Sequence, residues 1–322
     1  MPPNQFAHVT SCTPGTARTT SRWLAGIWKM SEVERIVTRD RNEVGVIAAA
    51  EEIRAGTAVV ANTTPTQLYG RLLPPGTAPE HAVQQGTRFR YSPRAGTQIH
   101  VALREPLRWR DSRLDGVPIV HLSDGLGSVS LACAQAAAGL LPAKPTIAVG
   151  QPAVLDPSRA PAGAGVMWIQ LQQVPPTPRG DAAGEIDVGD GGWSDQLVAD
   201  FTERVLARLE PHVENLPHAR GMTVTLSPME LERRNPNLVR GDIYAGDCEL
   251  GQSYLWRPLP GFGAHRTPVD RLYQCGASTY PGPGLNAASG RIVALQIIGG
   301  GGRLARATRL LRARRPLPGA HR

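Results

Sequence analysis

The chain has 322 residues, enough to bury a sizeable core and to form two domains. Its formal net charge is +8, but seven arginines and no acid lie in residues 303–322, and residues 1–30 also carry only basic charges. The middle of the chain is therefore nearly neutral. This distribution argues against a nucleic-acid-binding face on the folded part, and no specific nucleic acid is expected as a partner.

The cysteines and apolar runs exclude several further classes. Cys12, Cys133, Cys248 and Cys275 form no CxxC pair, which argues against a zinc site, a redox dithiol or a disulfide framework. The histidines show no metal-ligand spacing, so no metal is expected. No apolar run approaches the ~20 residues of a membrane helix, and no secretory signal is visible. We therefore expect a cytoplasmic protein without a transmembrane segment, with peripheral membrane contact left open.

The first elements follow a leader, residues 1–30, which is expected to be disordered or foreign to the fold. Residues 33–37 and 44–47 predict strands of a β-meander separated by a polar turn at 38–42, and residues 58–62 predict a short buried strand of the parallel type. Thr64 and Pro65 then begin a short helix, with Thr64 as its cap and Pro65 in its first position.

The middle of the chain alternates between strand and helix patterns. Strands are predicted at residues 98–103, 119–122, 146–150 and 166–171, and helices at 129–139, 193–209 and from 227 to 232. Residues 156–163 form a proline-rich loop. Residues 175–192 are rich in Pro, Gly and Asp and predict a mobile linker.

Residues 272–290, LYQCGASTYPGPGLNAASG, are the most informative segment. A strand end leads into small residues, then into alternating proline and glycine, and then into a helix predicted at 291–298. Glycine lets the backbone approach a flat or charged ligand closely, and a helix N-terminus offers unpaired N–H groups. The pattern favours a large cofactor. The alternative is a surface turn rich in glycine and proline.

The order of these residues resembles the C-terminal flavin-contacting signature of phytoene dehydrogenase-like FAD-dependent oxidoreductases. The strand ending in Val-x-Ala-Asn, the DPSxAPxG loop at 156–163 and the stretch at 241–258 are similar to the same family, so the resemblance runs from residue 32 to residue 298. One departure is Tyr280, which stands where the family usually has histidine. Any polar role of that position beside a flavin ring is therefore in question.

The resemblance implies FAD as cofactor and an α/β fold with α+β elements: a partial FAD-binding Rossmann-like domain and a mixed-sheet substrate domain. It implies FAD-domain segments at 31–75 and 268–300, a substrate domain at 76–267 and a basic tail at 301–322. The flavin contacts that it implies, together with a backbone contact to adenine near Val33, are Val33, Gly276, Ala277, Gly284, Leu285 and Asn286. Arg257 either orients a polar group beside the flavin or packs, exposed, on Trp256.

The implied activity is hydride transfer from a small apolar or amine-like substrate to flavin, with no catalytic residue assigned. The sequence before Glu32 contains no GxGxxG unit to seat the pyrophosphate, which predicts a truncated form with weak or absent FAD affinity. Two alternatives remain. The chain is a non-catalytic remnant of the fold, or it is a binding protein that acts through its arginine-rich tail.

Overall fold

The computed structural model describes residues 31–39, 43–262, 265–284 and 287–299. The chain divides into two compact units, a split unit from residues 1–90 and 244–322, and a central unit from residues 91–243. No helix in the described part of the chain is long and apolar enough to cross a membrane.

The strands are β1 (Val33–Arg39), β2 (Glu43–Ala48), β3 (Glu51–Arg54), β4 (Val59–Ala61), β5 (Ala95–Leu103), β6 (Ile119–Leu122), β7 (Leu140–Leu141), β8 (Ile147–Gly150), β9 (Gly165–Val174), β10 (Gly180–Asp181), β11 (Arg220–Leu226) and β12 (Leu272–Gln274). The α-helices are α1 (Pro65–Gln67), α2 (Glu80–Thr87), α3 (Leu126–Ala137), α4 (Asp195–Leu209), α5 (Leu216–Ala219), α6 (Pro228–Arg234) and α7 (Ala288–Ile297). This mixture of helices with parallel and antiparallel strands confirms the predicted α/β class.

The split unit contains the predicted meander and the predicted parallel strand. β1, β2 and β3 pair antiparallel in that order, and Ile36 and Val46 lie buried on one face. β4 pairs parallel with β12, more than 200 residues later in the chain. Both predictions are confirmed. Residues 38 and 39, which were predicted as part of a polar turn at 38–42, belong to β1 instead, and residues 40–42 lie outside the described part.

The start of α1 lies where it was predicted. Pro65 occupies the first turn of the helix, where its missing N–H would in any case have no intrahelical acceptor. Thr64 occupies the N-cap position, but its side chain makes no capping hydrogen bond there. A π-helical turn, Leu68–Leu72, continues α1 and buries Leu68 and Tyr69.

The central unit is built on a five-stranded antiparallel sheet in the order β11-β5-β9-β8-β6. Alternate residues of β5 and β9 are buried, as the period of two requires. The apolar face of α4 joins the same core through Phe201, Val205 and Leu209. The Ser194 side chain caps α4 by accepting from Leu197 N–H.

The segment 175–192, predicted as a mobile linker, is instead fixed to the central unit. β10 pairs parallel with β7, and the Asp181 carboxylate is only 1% exposed. Arg204 on α4 binds both Asp181 oxygens, at 2.5 and 2.6 Å. A bidentate pair of this kind holds two segments in one orientation, so a composition typical of linkers is overridden by one buried contact.

Candidate functional site

The parallel pair β4–β12 positions the candidate site in the split unit. Val59 lies opposite Leu272 and Ala61 opposite Gln274, and the Cys275 N–H extends the pairing by donating to Ala61 O at 2.9 Å. The carboxyl ends of parallel strands meet at one edge, which is where ligands bind in α/β sheets. Residues 62–64 and 275–279 therefore come together at this edge.

Gly276 is required by the backbone of the turn that follows β12. Its φ is +98°, and a Cβ placed there would lie 1.9 Å from Asn62 Oδ1. That distance is far below any van der Waals contact, so a side chain at position 276 would have to displace the Asn62 amide and would also be strained by the positive φ. The exposed amide of Asn62 is thus packed directly against the bare backbone of the turn.

Two hydroxyl groups tie the turn to the first residues of α7. Ser289 Oγ accepts from Gly276 N–H at 2.9 Å and lies 2.7 Å from Thr279 Oγ1. Thr279 Oγ1 in turn donates to Gly276 O at 2.7 Å. The helix predicted at 291–298 is confirmed but begins earlier, at Ala288, because Ser289 is part of this network. The glycine turn and the helix N-terminus form one connected structure.

Arg257 holds the turn from the opposite side. Its Nε and Nη2 donate to Ala277 O at 3.0 and 2.9 Å, and its Nη1 donates to Asp247 O at 2.9 Å. The guanidinium also stacks over the Phe89 ring, 5.8 Å from its centroid. Arg257 is 2% exposed, whereas Trp256 is 51% exposed. The alternative of an exposed arginine on Trp256 is therefore wrong.

The edge carries acceptors that the described residues do not satisfy. Gln274 Nε2 donates to Thr63 O at 2.7 Å, but Gln274 Oε1 and Thr63 Oγ1 are buried without a hydrogen-bond partner in the described part of the chain. Buried acceptors of this kind are rare, because leaving one unpaired costs about 1–3 kcal/mol. With the exposed Asn62 amide they suit a flat heterocycle that carries both donors and acceptors on its edge.

Burial favours the neutral form of two titratable groups at this edge, Cys275 and His265. Burial raises the pKa of the Cys275 thiol, which disfavours the thiolate. Burial lowers the pKa of His265, although the carbonyl groups of Gln274 and Tyr280 partly offset this by favouring the protonated ring. The site therefore has no charged nucleophile or base at neutral pH among these groups. It is a surface for binding and orientation.

Of the six predicted contact residues, the structure places two in the glycine turn. Gly276 and Ala277 lie together in the turn, in contact with Asn62, Ser289 and Arg257.

The other predicted contacts lie elsewhere. Gly284 is exposed at the far end of the proline-glycine stretch, and Leu285 and Asn286 lie outside the described residues. Val33 begins β1 opposite Ala48, and no described contact joins it to the turn. These flavin and adenine contacts remain predictions.

Sequence reasoning missed the contributions of Asn62, Thr279 and Ser289. Asn62 ends the Val-x-Ala-Asn strand, so its position at a carboxyl end was a usable signal. Thr279 and Ser289 lie ten residues apart with no spacing rule to connect them. Within the described ranges, no group of three His, Cys, Asp or Glu could hold a metal ion.

Comparison with known proteins relates the chain to oxidoreductases. No family model matches the sequence. It is 33% identical over 155 residues to pyridine nucleotide-disulfide oxidoreductase domain-containing protein 2 of Mus musculus, covering 48% of this chain and 25% of that protein. It is 29% identical over 133 residues to one of the subunits of limonene dehydrogenase from Castellaniella defragrans, covering 40% of this chain and 22% of that protein. The chain thus matches about a quarter of the length of these curated relatives.

Solved structures with some likeness are also oxidoreductases. One is an oxidoreductase from Methanosarcina mazei, 16% identical with a TM-score of 0.45, covering 84% of this chain and 48% of that one. Another is a putrescine oxidase variant made by redesign of cofactor binding, 14% identical with a TM-score of 0.47, with the same shares of each chain covered.

Proposed function

We propose that the chain belongs to an FAD-dependent oxidoreductase of the phytoene dehydrogenase-like kind and supplies its flavin-ring site. The observation that carries the proposal is the Gly276 turn at the shared carboxyl end of β4 and β12. There a bare backbone, an exposed amide and two unsatisfied acceptors adjoin the start of a helix. The sequence similarity to oxidoreductases supports the same activity class.

The chain's own residues would bind and orient the cofactor. The Gly276–Ala277 backbone would lie along the ring, and the polar edge formed by Asn62, Thr63 and Gln274 would hydrogen-bond it. Arg257 and Ser289 would fix the turn from behind, without touching the ligand. When bound, FAD supplies the acceptor for a hydride from the substrate. The absence of a charged acid-base pair among the described residues of the edge is consistent with such chemistry.

We propose the remaining assignments on the same basis. Residues 31–75 and 268–300 would belong to the FAD-binding portion and residues 76–267 to a substrate portion that accepts an apolar or amine-like molecule. A cytoplasmic setting is proposed. Because the sequence before Glu32 carries no pyrophosphate-binding glycine motif, the chain alone would bind FAD weakly.

The test is the visible spectrum of the purified chain, followed by titration with FAD. We expect no stoichiometric flavin after purification and weak, saturable quenching of FAD fluorescence on titration. Gly276→Ala should abolish the quenching. Gly282→Ala is the matched control, since its φ is also positive, +110°, but a Cβ there meets nothing within 4 Å.

Each outcome separates the candidate functions. A chain that leaves FAD fluorescence unchanged at every concentration would favour the non-catalytic remnant. Equal loss of quenching in both glycine variants would remove the turn from the site. The tail hypothesis concerns residues 301–322, outside the described part, and predicts a salt-dependent interaction with an anionic polymer or lipid that deletion of those residues abolishes.

A further inference from the structure

A cavity separate from the glycine turn lies in the split unit between α2 and residues 251–260. Its volume is about 440 Å³, within the range of small-molecule sites. Its lining residues are His81, Gln84, Gln85, Arg88, Phe89, Arg90, Gly251, Gln252, Trp256, Pro258, Leu259 and Pro260. None of the predicted flavin contacts is among them. The lining residues fall within 76–267, the proposed substrate portion, in which no ligand contact has yet been assigned.

The apolar part of the cavity suits a flat ring. Trp256 lines it with half of its surface exposed, and Phe89, Pro258 and Leu259 complete the wall. Rings prefer to stack on exposed indole faces, and such contacts add about 0.5–1.5 kcal/mol beyond area burial. Residues 254–256 form a 3-10 turn next to Arg257, whose buried side chain fixes this segment. The backbone turn that carries the indole is therefore held in place next to the cavity.

The polar part of the cavity indicates two further groups that a ligand should carry. Gln85 lines the cavity, and its buried Oε1 has no hydrogen-bond partner in the described part of the chain. It can accept from a ligand donor when the side chain turns toward the cavity. The Arg88 side chain is exposed and makes no hydrogen bond or ion pair with the described residues. Arg90 is already paired with Glu249 at 3.5 Å. Among the described residues, no aspartate or glutamate lines the cavity, so its charge is positive.

We propose that this cavity is a binding site for a flat aromatic ring that carries an anionic group and a hydrogen-bond donor. The ring stacks on Trp256, the donor meets Gln85 Oε1 and the anion meets the Arg88 guanidinium. An anion is favoured over a cation because Arg88 faces the space without an acidic partner among the described residues, and no described acid lines the cavity. The site requires neither FAD nor the glycine turn.

Isothermal titration calorimetry of the full chain with three naphthalene probes tests each contact. We expect 6-hydroxy-2-naphthoate to bind best. 2-Naphthoate, which lacks the donor, and 6-hydroxy-2-naphthamide, which lacks the charge, should each bind about fivefold to tenfold more weakly. Raising the salt concentration should reduce only the difference between the acid and the amide.

Matched variants assign the differences to residues. Arg88→Gln should make the hydroxy acid and its amide bind equally, and Gln85→Leu should make the hydroxy acid and 2-naphthoate bind equally. Trp256→Ala should weaken all three probes about tenfold. Leu255→Ala is the control, because Leu255 is exposed in the same turn but does not line the cavity.

The proposal is overturned by any of three results. The first is no heat of binding with any probe. The second is equal affinity of the acid and the amide for the unchanged protein. The third is an equal loss in Leu255→Ala and Trp256→Ala, which would indicate unspecific adsorption on the exposed apolar turn. Thermal melts of each variant establish that the fold is retained, since Gln85, Arg88 and Trp256 all keep part of their surface exposed.

Discussion

Two segments of this protein that carry loop-like sequences are each held by one arginine, and the two arginines work differently. In the central unit, Arg204 binds the Asp181 carboxylate and fixes residues 175–192. In the split unit, Arg257 donates to backbone carbonyl oxygens and fixes the glycine turn. The first contact depends on a titratable partner. The second depends on the direction of the Arg257 N–H groups. The acceptors described for it are backbone carbonyl oxygens, which do not titrate.

This difference matters for function. A charge pair tolerates pH change only while the carboxylate stays ionised, whereas carbonyl acceptors are unaffected by pH. A turn held through carbonyl acceptors should therefore keep its shape as the pH changes. The two regions should therefore lose stability in different ways when the arginine is replaced.

The largest effect should come from Arg257→Met. The substitution keeps the apolar stem but removes both guanidinium donors to the half-buried Ala277 carbonyl and one of the two side-chain donors to the Asp247 carbonyl. We expect the free energy of unfolding of the split unit to fall by about 4 kcal/mol, measured by urea denaturation. Arg257→Lys should recover only part of this loss, because an ammonium cannot reproduce the fork of the guanidinium. Full recovery by lysine would mean that charge, not direction, holds the turn.

Arg204→Met should cost about 3 kcal/mol in the central unit, because it leaves the Asp181 carboxylate buried without its cation. Adding Asp181→Asn should restore part of the loss, since the neutral amide is cheaper to bury. The exposed Arg113→Met serves as control and should leave the unfolding free energy nearly unchanged, because its ion pair with Asp111 is screened by solvent. If the double variant is no more stable than Arg204→Met alone, the contact is not primarily electrostatic.

Gly276→Ala should cost about 2–3 kcal/mol, and Gly282→Ala about 1 kcal/mol. Both positions have positive φ, but only the first would drive a Cβ into Asn62 Oδ1. Adding Asn62→Gly to Gly276→Ala should remove the clash and leave only the backbone strain. The measurement is thermal denaturation of these variants beside the unchanged chain. Equal cost at both glycines would show that Asn62 yields easily.

The smallest expected effect is the pH dependence of the central unit. Burial alone would raise the pKa of Asp181, but hydrogen bonds from Arg204 and from the N–H groups of Ile186 and Glu185 lower it well below its usual range. A depressed pKa stabilises the fold above the unfolded value, near 4, and this stabilisation is lost as the pH falls below it.

Between pH 5 and pH 3 the loss from this group should be about 1 kcal/mol. It should be absent in Asp181→Asn/Arg204→Met and unchanged in Arg257→Met. Urea midpoints at the two pH values measure it. A loss of equal size in all three proteins would assign the acid sensitivity to other carboxylates.

The sequence predicts the regular parts of this fold and misses the single contacts that shape its loops. Alternation in β5 and β9 and helical spacing in α4 follow from burial on one face, so the main sheet and its helix are predictable. β11 was missed because it is an edge strand with an exposed Met222 and Val224, which blurs the alternation. β7 and β10 have two residues each, too few for any period.

At the candidate site, composition predicts the turn but not what holds it. The turn at Gly276 is predictable, because this glycine stands between a strand and a run of small residues. Arg257 was open to two interpretations, because its acceptors are backbone carbonyls ten and twenty residues away, which leave no trace in side-chain identity. The same is true of Ser289, whose hydroxyl accepts from a backbone N–H. Such contacts are visible only when the chain is folded.

The most direct test of the central claim compares which part of FAD the chain binds. The glycine turn is proposed to contact the ring, and the sequence carries no motif for the pyrophosphate before Glu32. Fluorescence titration of the unchanged chain should therefore give riboflavin and FAD affinities within about threefold of each other, with ADP in excess displacing neither. Displacement of FAD by ADP, with no binding of riboflavin, would contradict the account.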